Sequence, residues 1–135
     1  MSSTNPTSLP ITSQEDIVGV RQAVRKAAVE AGLTLVDQTK IVTAASELAR
    51  NALVHGGGGS VSIEQVNERE RRGIRLNFVD QGPGIPDIER ALKDGYSTGT
   101  GLGLGLGGAK RLSNDFSIWS EPGKGTRIII TRWKG

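Results

Sequence analysis

Glu47, Asn51 and His55 recur at intervals of four in Glu47-Leu-Ala-Arg-Asn51-Ala-Leu-Val-His55. On a helix that spacing turns each side chain only about 40° from the one before, so a carboxylate, a carboxamide and an imidazole line one side. Asn can offer a carbonyl oxygen to Mg²⁺, and Glu can orient or deprotonate a nucleophile beside it. His55 stays open between a part in that set and a place at the helix C-terminus, where a cation is favoured. Asp80-Gln-Gly-Pro-Gly84 follows, a carboxylate at the end of a hydrophobic stretch and before a tight turn whose glycines let backbone approach a flat ligand. Such a carboxylate can accept a hydrogen bond from an exocyclic amine, which selects adenine over guanine. The third motif is Gly99-Thr100-Gly101-Leu102-Gly103-Leu104-Gly105, continuing to Gly108 and leading into a helix-like segment. Its free N–H groups and the helix N-terminus can surround phosphate oxygens, with Leu102, Leu104 and Leu106 as anchors and the run as a lid over them. Taken singly, each motif also has an ordinary reading as a solvated helix side, an Asp turn or a linker. Three in order are harder to dismiss.

The elements that must position these residues are legible from periodicity. Residues 1–10 are rich in Ser, Thr, Asn and Pro and read as a flexible arm. Ile17, Val20, Val24, Ala27 and Ala31 recur at three and four residues, the stripe of an amphipathic helix, with a Thr12–Glu15 capping box at its start and Gly32 as its stop. A second helix is expected from about Asp37 to His55, burying Ile41, Ala45, Leu48 and Ala52, and ended by Gly56–Gly59. The period then changes to two. Val61–Val66 and Ile74–Val79 read as strands of a hairpin joined by a charged loop over Asn67–Gly73. A short helix is expected within Pro86–Asp94 and another within Leu104–Leu112. Phe116–Ser120 and Thr126–Trp133 read as two closing strands around the turn Glu121-Pro-Gly-Lys-Gly125. The sum is a two-layer α/β (α+β) sandwich, an antiparallel-leaning sheet of about four strands with helices on one face.

Composition narrows the function classes. At 135 residues the chain fits one domain. No apolar run approaches the ~18 residues of a membrane span, and no signal-peptide pattern opens the chain, so a soluble cytoplasmic protein with no membrane partner is expected. The absence of cysteine removes disulfides, thiolate sites and thiol nucleophiles, and a single histidine argues against zinc. The net charge is +3, but 17 basic and 14 acidic residues interleave, as in Glu68-Arg-Glu-Arg-Arg72, and no basic stripe with aromatics appears, so no nucleic-acid partner is expected. Gly103, Gly105 and Gly108 fit a dinucleotide pattern with no strand before them, no Walker-type P-loop string occurs, and the H-R-D and D-F-G signatures are missing.

Taken together, Glu47–His55, Asp80–Gly84, Gly99–Gly105 and Gly125-Thr126 resemble the N, G1 and G2 boxes and closing Gly-Thr of the GHKL ATP-binding superfamily, which includes gyrase, Hsp90 and histidine kinases. The finer resemblance is to the small bacterial anti-sigma and switch serine/threonine kinases of partner-switching, stressosome-like pathways. It covers Ile11–Trp133 and implies a Bergerat-type fold with a mixed, mostly antiparallel sheet, residues 11–135 forming a single such domain. It further implies that Asn51 binds Mg²⁺, Glu47 activates the attacking serine hydroxyl, and Asp80 reads the adenine amine of ATP. Gly82 and Gly84 would line the base pocket and Thr126 would support it. Gly101, Gly103 and Gly105 would contact phosphates, within a nucleotide-binding run that includes Gly99, Thr100, Leu102 and Leu104. The implied substrate is a STAS-domain antagonist protein. An alternative from another class is a nucleotide-gated binding module that sequesters a sigma factor or activates a PP2C-type phosphatase.

Overall fold

The computed structural model describes residues 2–3, 6–85, 87–92 and 105–134. Helix α1, Gln14–Glu30, buries Ile17, Val20, Val24 and Ala28. It starts one residue later than the expected Thr12–Glu15 box. Ser13 is the N-cap and accepts the Asp16 N–H, while the Asp16 carboxylate reaches back to the N–H and hydroxyl of Thr12, both at 2.8 Å. The end is as the glycine indicates: Gly32 sits at φ +82, with its N–H on the Val29 carbonyl and the Leu33 N–H on the Ala28 carbonyl. That pair of bonds is a Schellman stop, which satisfies the orphan carbonyls of the last turn.

Helix α2, Leu35–Val54, begins two residues before the expected Asp37 because Thr34 supplies the cap, accepting the Asp37 N–H. Ile41, Ala45, Leu48 and Ala52 are all 2% exposed or less and face the sheet. The small side chains let α2 lie close to α1 and to the strands beneath.

The sheet is wider than the sequence suggests. Strands β1 (Ser2–Ser3), β2 (Thr7–Ile11), β3 (Gly59–Glu68), β4 (Arg71–Asp80), β5 (Asp115–Ser120) and β6 (Thr126–Trp133) form six strands, ordered β1-β3-β4-β6-β5 with β2 also on β3. Every pairing among the described strands is antiparallel, so the expected mixed character is not seen in them. The expected arm over residues 1–10 needs correction: Thr7–Ile11 pairs along Ile63–Gly59 of β3. The physical reason is the edge of β3, whose free N–H and C=O groups are satisfied by an added strand. Leu9 and Ile11 point to the core, and an edge strand tolerates Pro10.

The hairpin loop is also shorter than the Asn67–Gly73 segment expected. Pairing continues to Glu68 opposite Arg71, leaving Arg69 and Glu70 as a two-residue turn at φ 51 and φ 66. Two positive-φ residues make the turn whose twist matches the strands.

Alternation along the strands sorts the two faces. Leu9, Ile11, Val61, Ile63, Ile74, Leu76, Phe78, Ile128 and Ile130 join α1 and α2 in one core. Each large aliphatic side chain so buried contributes roughly 1.5–3 kcal/mol. Both helices therefore cover the same face, and α4 (Leu106–Arg111) packs on α2. The short α3 spans Ile88–Ala91. On the reverse face Trp133 is buried, with the Arg71 guanidinium 4.1 Å from its ring and its Nε1–H donating to Asp115 at 2.9 Å.

One ion pair fastens the helical layer to the sheet. Arg132 Nη2 of β6 lies 2.7 Å from Asp37 Oδ1 in the first turn of α2, with side-chain exposures of 14% and 11%, and Nη1 donates to the Leu112 carbonyl at the end of α4. The Arg132 hydrogen bond holds the Asp37 carboxyl below the usual carboxylate range, against the opposing effect of burial.

Candidate functional site

The polar side of α2 does not face open solvent. Asn51 is 5% exposed and its Oδ1 is buried with no hydrogen-bond partner among the described residues. A buried acceptor left unpaired costs about 1–3 kcal/mol, so this oxygen is suited to a ligand that would pair with it. One turn earlier, Glu47 is half-buried and faces Gly105, the N-cap of α4. A Cβ at Gly105 would overlap the Glu47 carboxylate, so only glycine lets the end of the third motif come this close.

One turn later, His55 caps α2 and its Nε2 lies 3.1 Å from the Gly84 carbonyl. A carbonyl only accepts, so Nε2 carries the proton. The loop containing Gly84 is thereby tied to the helix carrying Asn51.

Asp80 ends β4 opposite Thr126 and is 5% exposed. Its Oδ1 accepts the Gly82 N–H at 2.9 Å. Burial pushes the carboxyl above its ordinary range, opposed by the Gly82 N–H, the charge of His55 and the Thr126 N–H. Gly56, directly after His55, packs on that carboxyl so tightly that a Cβ there would overlap it, and Gly82 rests on the Gly56 backbone. Gly84 adopts φ +81, with no room for a Cβ beside the Glu121 carbonyl.

Beneath the loop, Ser120 Oγ accepts the Ile85 N–H at 2.7 Å and donates to the Gly125 carbonyl at 2.9 Å. Its one proton being used, the Thr126 hydroxyl at 2.9 Å is the donor in their contact. Thr126 is thus a support 2% exposed beside Asp80.

Of the residues the sequence singles out, Glu47, Asn51, Asp80, Gly82, Gly84, Gly105 and Thr126 are drawn together by these contacts around one end of α2. Gly99, Thr100, Gly101, Leu102, Gly103 and Leu104, and with them the expected lid, lie outside the described residues. Sequence reasoning misses Ser120, the packing of Gly56 on Asp80 and the bond from His55 to Gly84. Gly56 stands in a glycine tetrad that signals a close approach without naming the partner.

The arrangement has a buried carboxylate suited to an exocyclic amine, an amide oxygen without a partner among the described residues and suited to a cation, and a half-buried carboxylate facing Gly105. Among the described residues no group of three or more His, Cys, Asp or Glu could hold a metal by itself. A cation bound largely by phosphate oxygens and water needs only one or two protein ligands, so Asn51 fits that role. No helix among the described residues is long and apolar enough to cross a membrane.

Comparison with known proteins gives the family and the fold. The profile of the family of histidine kinase-, DNA gyrase B- and HSP90-like ATPases matches residues 36–134. The serine/threonine-protein kinase RsbT of Bacillus subtilis is 49% identical over 123 residues, 91% of this chain and 92% of that protein. The anti-sigma F factor of Bacillus licheniformis is 35% identical over 106 residues, 73% of this chain and 71% of that protein. Among solved structures, the RsbU and RsbW domains of a Mycobacterium tuberculosis protein superpose with a TM-score of 0.65 at 22% identity, covering 98% of this chain and 34% of that one. The catalytic domain of the histidine kinase ThkA gives 0.51 at 20% identity, covering 97% of both chains. At those identities the two structures speak for the fold alone. The match over residues 36–134 and the 49% identity to RsbT place the chain in the family of histidine kinase-, DNA gyrase B- and HSP90-like ATPases, to which it belongs.

Proposed function

We propose that the chain is an ATP-dependent serine/threonine kinase that phosphorylates a STAS-domain antagonist protein in a partner-switching pathway. The observation that carries the reading is the orphaned Asn51 oxygen set one helical turn from Glu47 and tied through His55 and Gly56 to the Asp80 pocket. The likeness to RsbT supports the reaction class.

In this reading Asp80 accepts a hydrogen bond from the adenine amine, and its burial makes that bond discriminating. Gly82 and Gly84 let the backbone lie against the base, and Thr126 with Ser120 keeps Asp80 in place. Asn51 holds Mg²⁺, which when bound offsets negative charge on the phosphates. Glu47 takes the proton of the acceptor serine as its Oγ forms a bond to the γ-phosphorus and the bond to the ADP oxygen breaks. Gly105, at the end of the glycine run, brings the phosphates toward Glu47.

The likeness to anti-sigma F factors favours a second reading, in which nucleotide gates binding to a sigma factor or to a PP2C-type phosphatase and no transfer occurs. The test is transfer of labelled γ-phosphate to a purified STAS-domain protein. Wild type should label a serine, while Glu47→Ala and Asn51→Ala should each lose at least ~100-fold of the rate. Equal labelling by both variants would remove the kinase assignment. Unlabelled STAS protein, with nucleotide-dependent binding of a sigma factor or phosphatase preserved in Glu47→Ala, would favour the second reading.

A further inference from the structure

His55 lies outside the chemistry just described, yet from the C-cap of α2 it makes a side-chain hydrogen bond to the Pro83–Ile85 segment, Nε2 to the Gly84 carbonyl at 3.1 Å. The other side of that segment is held by a different set. Gly123 N–H donates to the Pro83 carbonyl at 2.8 Å, Ile85 N–H donates to Ser120 at 2.7 Å, and Gly84 abuts the Glu121 carbonyl. The loop is therefore clamped between the Glu121–Gly125 turn and a single imidazole. On the core side the packing of Gly82 on Gly56 and the burial of Ile85, 3% exposed, add to it, contacts with no side-chain hydrogen bond to the helix.

Resting on the proposed function, we infer that His55 is the positioning residue of the adenine pocket: its Nε2–H sets how far the Gly84 backbone stands from Asp80 and Asn51. The imidazole is well suited to this. Its ring is stiff, its backbone is fixed by the cap bond from His55 N–H to the Asn51 carbonyl at 2.9 Å, and it is half-buried, so the bond is only partly in competition with water. Because His55 and Asn51 share that capping turn, the base side of the site and its cation side are held to one rigid frame. Without the imidazole the loop keeps its hydrogen bonds on the turn side and the burial of Ile85, and loses its hydrogen bond to the helix end. Nucleotide must then order the loop as it binds, which weakens affinity without altering the transfer step.

Kinetics and calorimetry on three variants test this. The amide nitrogen of Gln occupies the place of imidazole Nε2, whereas that of Asn occupies the place of Nδ1 and falls short of Gly84. His55→Ala and His55→Asn should raise KM for ATP and Kd for ADP about five- to tenfold with kcat unchanged, the loss expected of one part-buried hydrogen bond. His55→Gln should restore both to near wild type. A wild-type ADP affinity in His55→Ala overturns the inference. So does a fall in kcat that follows the folded fraction and is not rescued by Gln, because that marks a merely structural cap. The Gln–Asn pair keeps the comparison decisive should the Ala variant fail to fold. If wild type itself binds no adenine nucleotide, it is the proposed function that fails.

Discussion

Replacing Asp37 with alanine should unfasten the helical layer from the sheet. The substitution leaves Arg132 charged and enclosed between the first turn of α2 and the end of α4, with the Leu112 carbonyl at 3.3 Å as its remaining acceptor among the described residues. Breaking a fully buried pair from one side costs ~3–5 kcal/mol, and the residual exposures of 14% and 11% put this pair at the lower end, about 3 kcal/mol. With an unfolding entropy near 2.1 cal/mol/K per residue, a chain of 135 residues should lose roughly 10 °C in Tm. Urea titrations read the free energy and differential scanning calorimetry the Tm. The pH dependence has a definite sign. The folded carboxyl titrates below its ordinary 3.8, so its contribution is full above that value and is lost as pH falls through the folded pKa. The gap between wild type and Asp37→Ala should therefore hold from pH 7 to about 4 and narrow below. Joint replacement of Asp37 by Leu and Arg132 by Met should recover most of the loss, since apolar pairs of similar volume substitute well for enclosed ions. A loss under ~1 kcal/mol at neutral pH, or one undiminished at pH 3, would refute the reasoning.

Other perturbations separate function from stability at the site. Asp80→Asn should lower ATP affinity at least tenfold while raising stability at pH 7; burial raises the Asp80 pKa, so the folded state takes up a proton more readily than the unfolded one and its stability falls as pH rises through that value, a slope the amide abolishes. Thermal melts and calorimetry across pH 4 to 8 check both parts. Asn51→Leu should remove a buried acceptor with no partner, leaving Tm unchanged or higher, while metal-dependent ATP binding disappears from titration with and without Mg²⁺. Gly56→Ala should place a methyl against the Asp80 carboxyl, costing about 1–3 kcal/mol in urea unfolding and abolishing ADP binding.

Periodicity alone located both long helices and the four main strands, because each buries one face and so writes its period into the chain. Helical spacing and glycine placement, which are local properties, also singled out Glu47, Asn51 and Asp80, while Thr126 came only from the resemblance of Gly125-Thr126 to a family motif. Pairing is not local. Strand β2 carries a Ser, Thr and Pro composition that suits an arm, and it becomes a strand because the β3 edge is open to it. Arg69 and Glu70 carry no glycine to announce a positive-φ turn, and it is the continued register of β3 with β4 that imposes one. The Asp37–Arg132 bond spans 95 positions, and no pattern in either segment points to the other. So the sequence by itself determined which chemistry this protein has to hand and on which elements it rides. Only the tertiary structure decided that the Asn51 oxygen is enclosed and without a partner among the described residues, that Gly56 sits against Asp80, and that the His55 imidazole meets the Gly84 carbonyl. Enclosure and distance arise when segments far apart in the chain meet, and no local spacing encodes them.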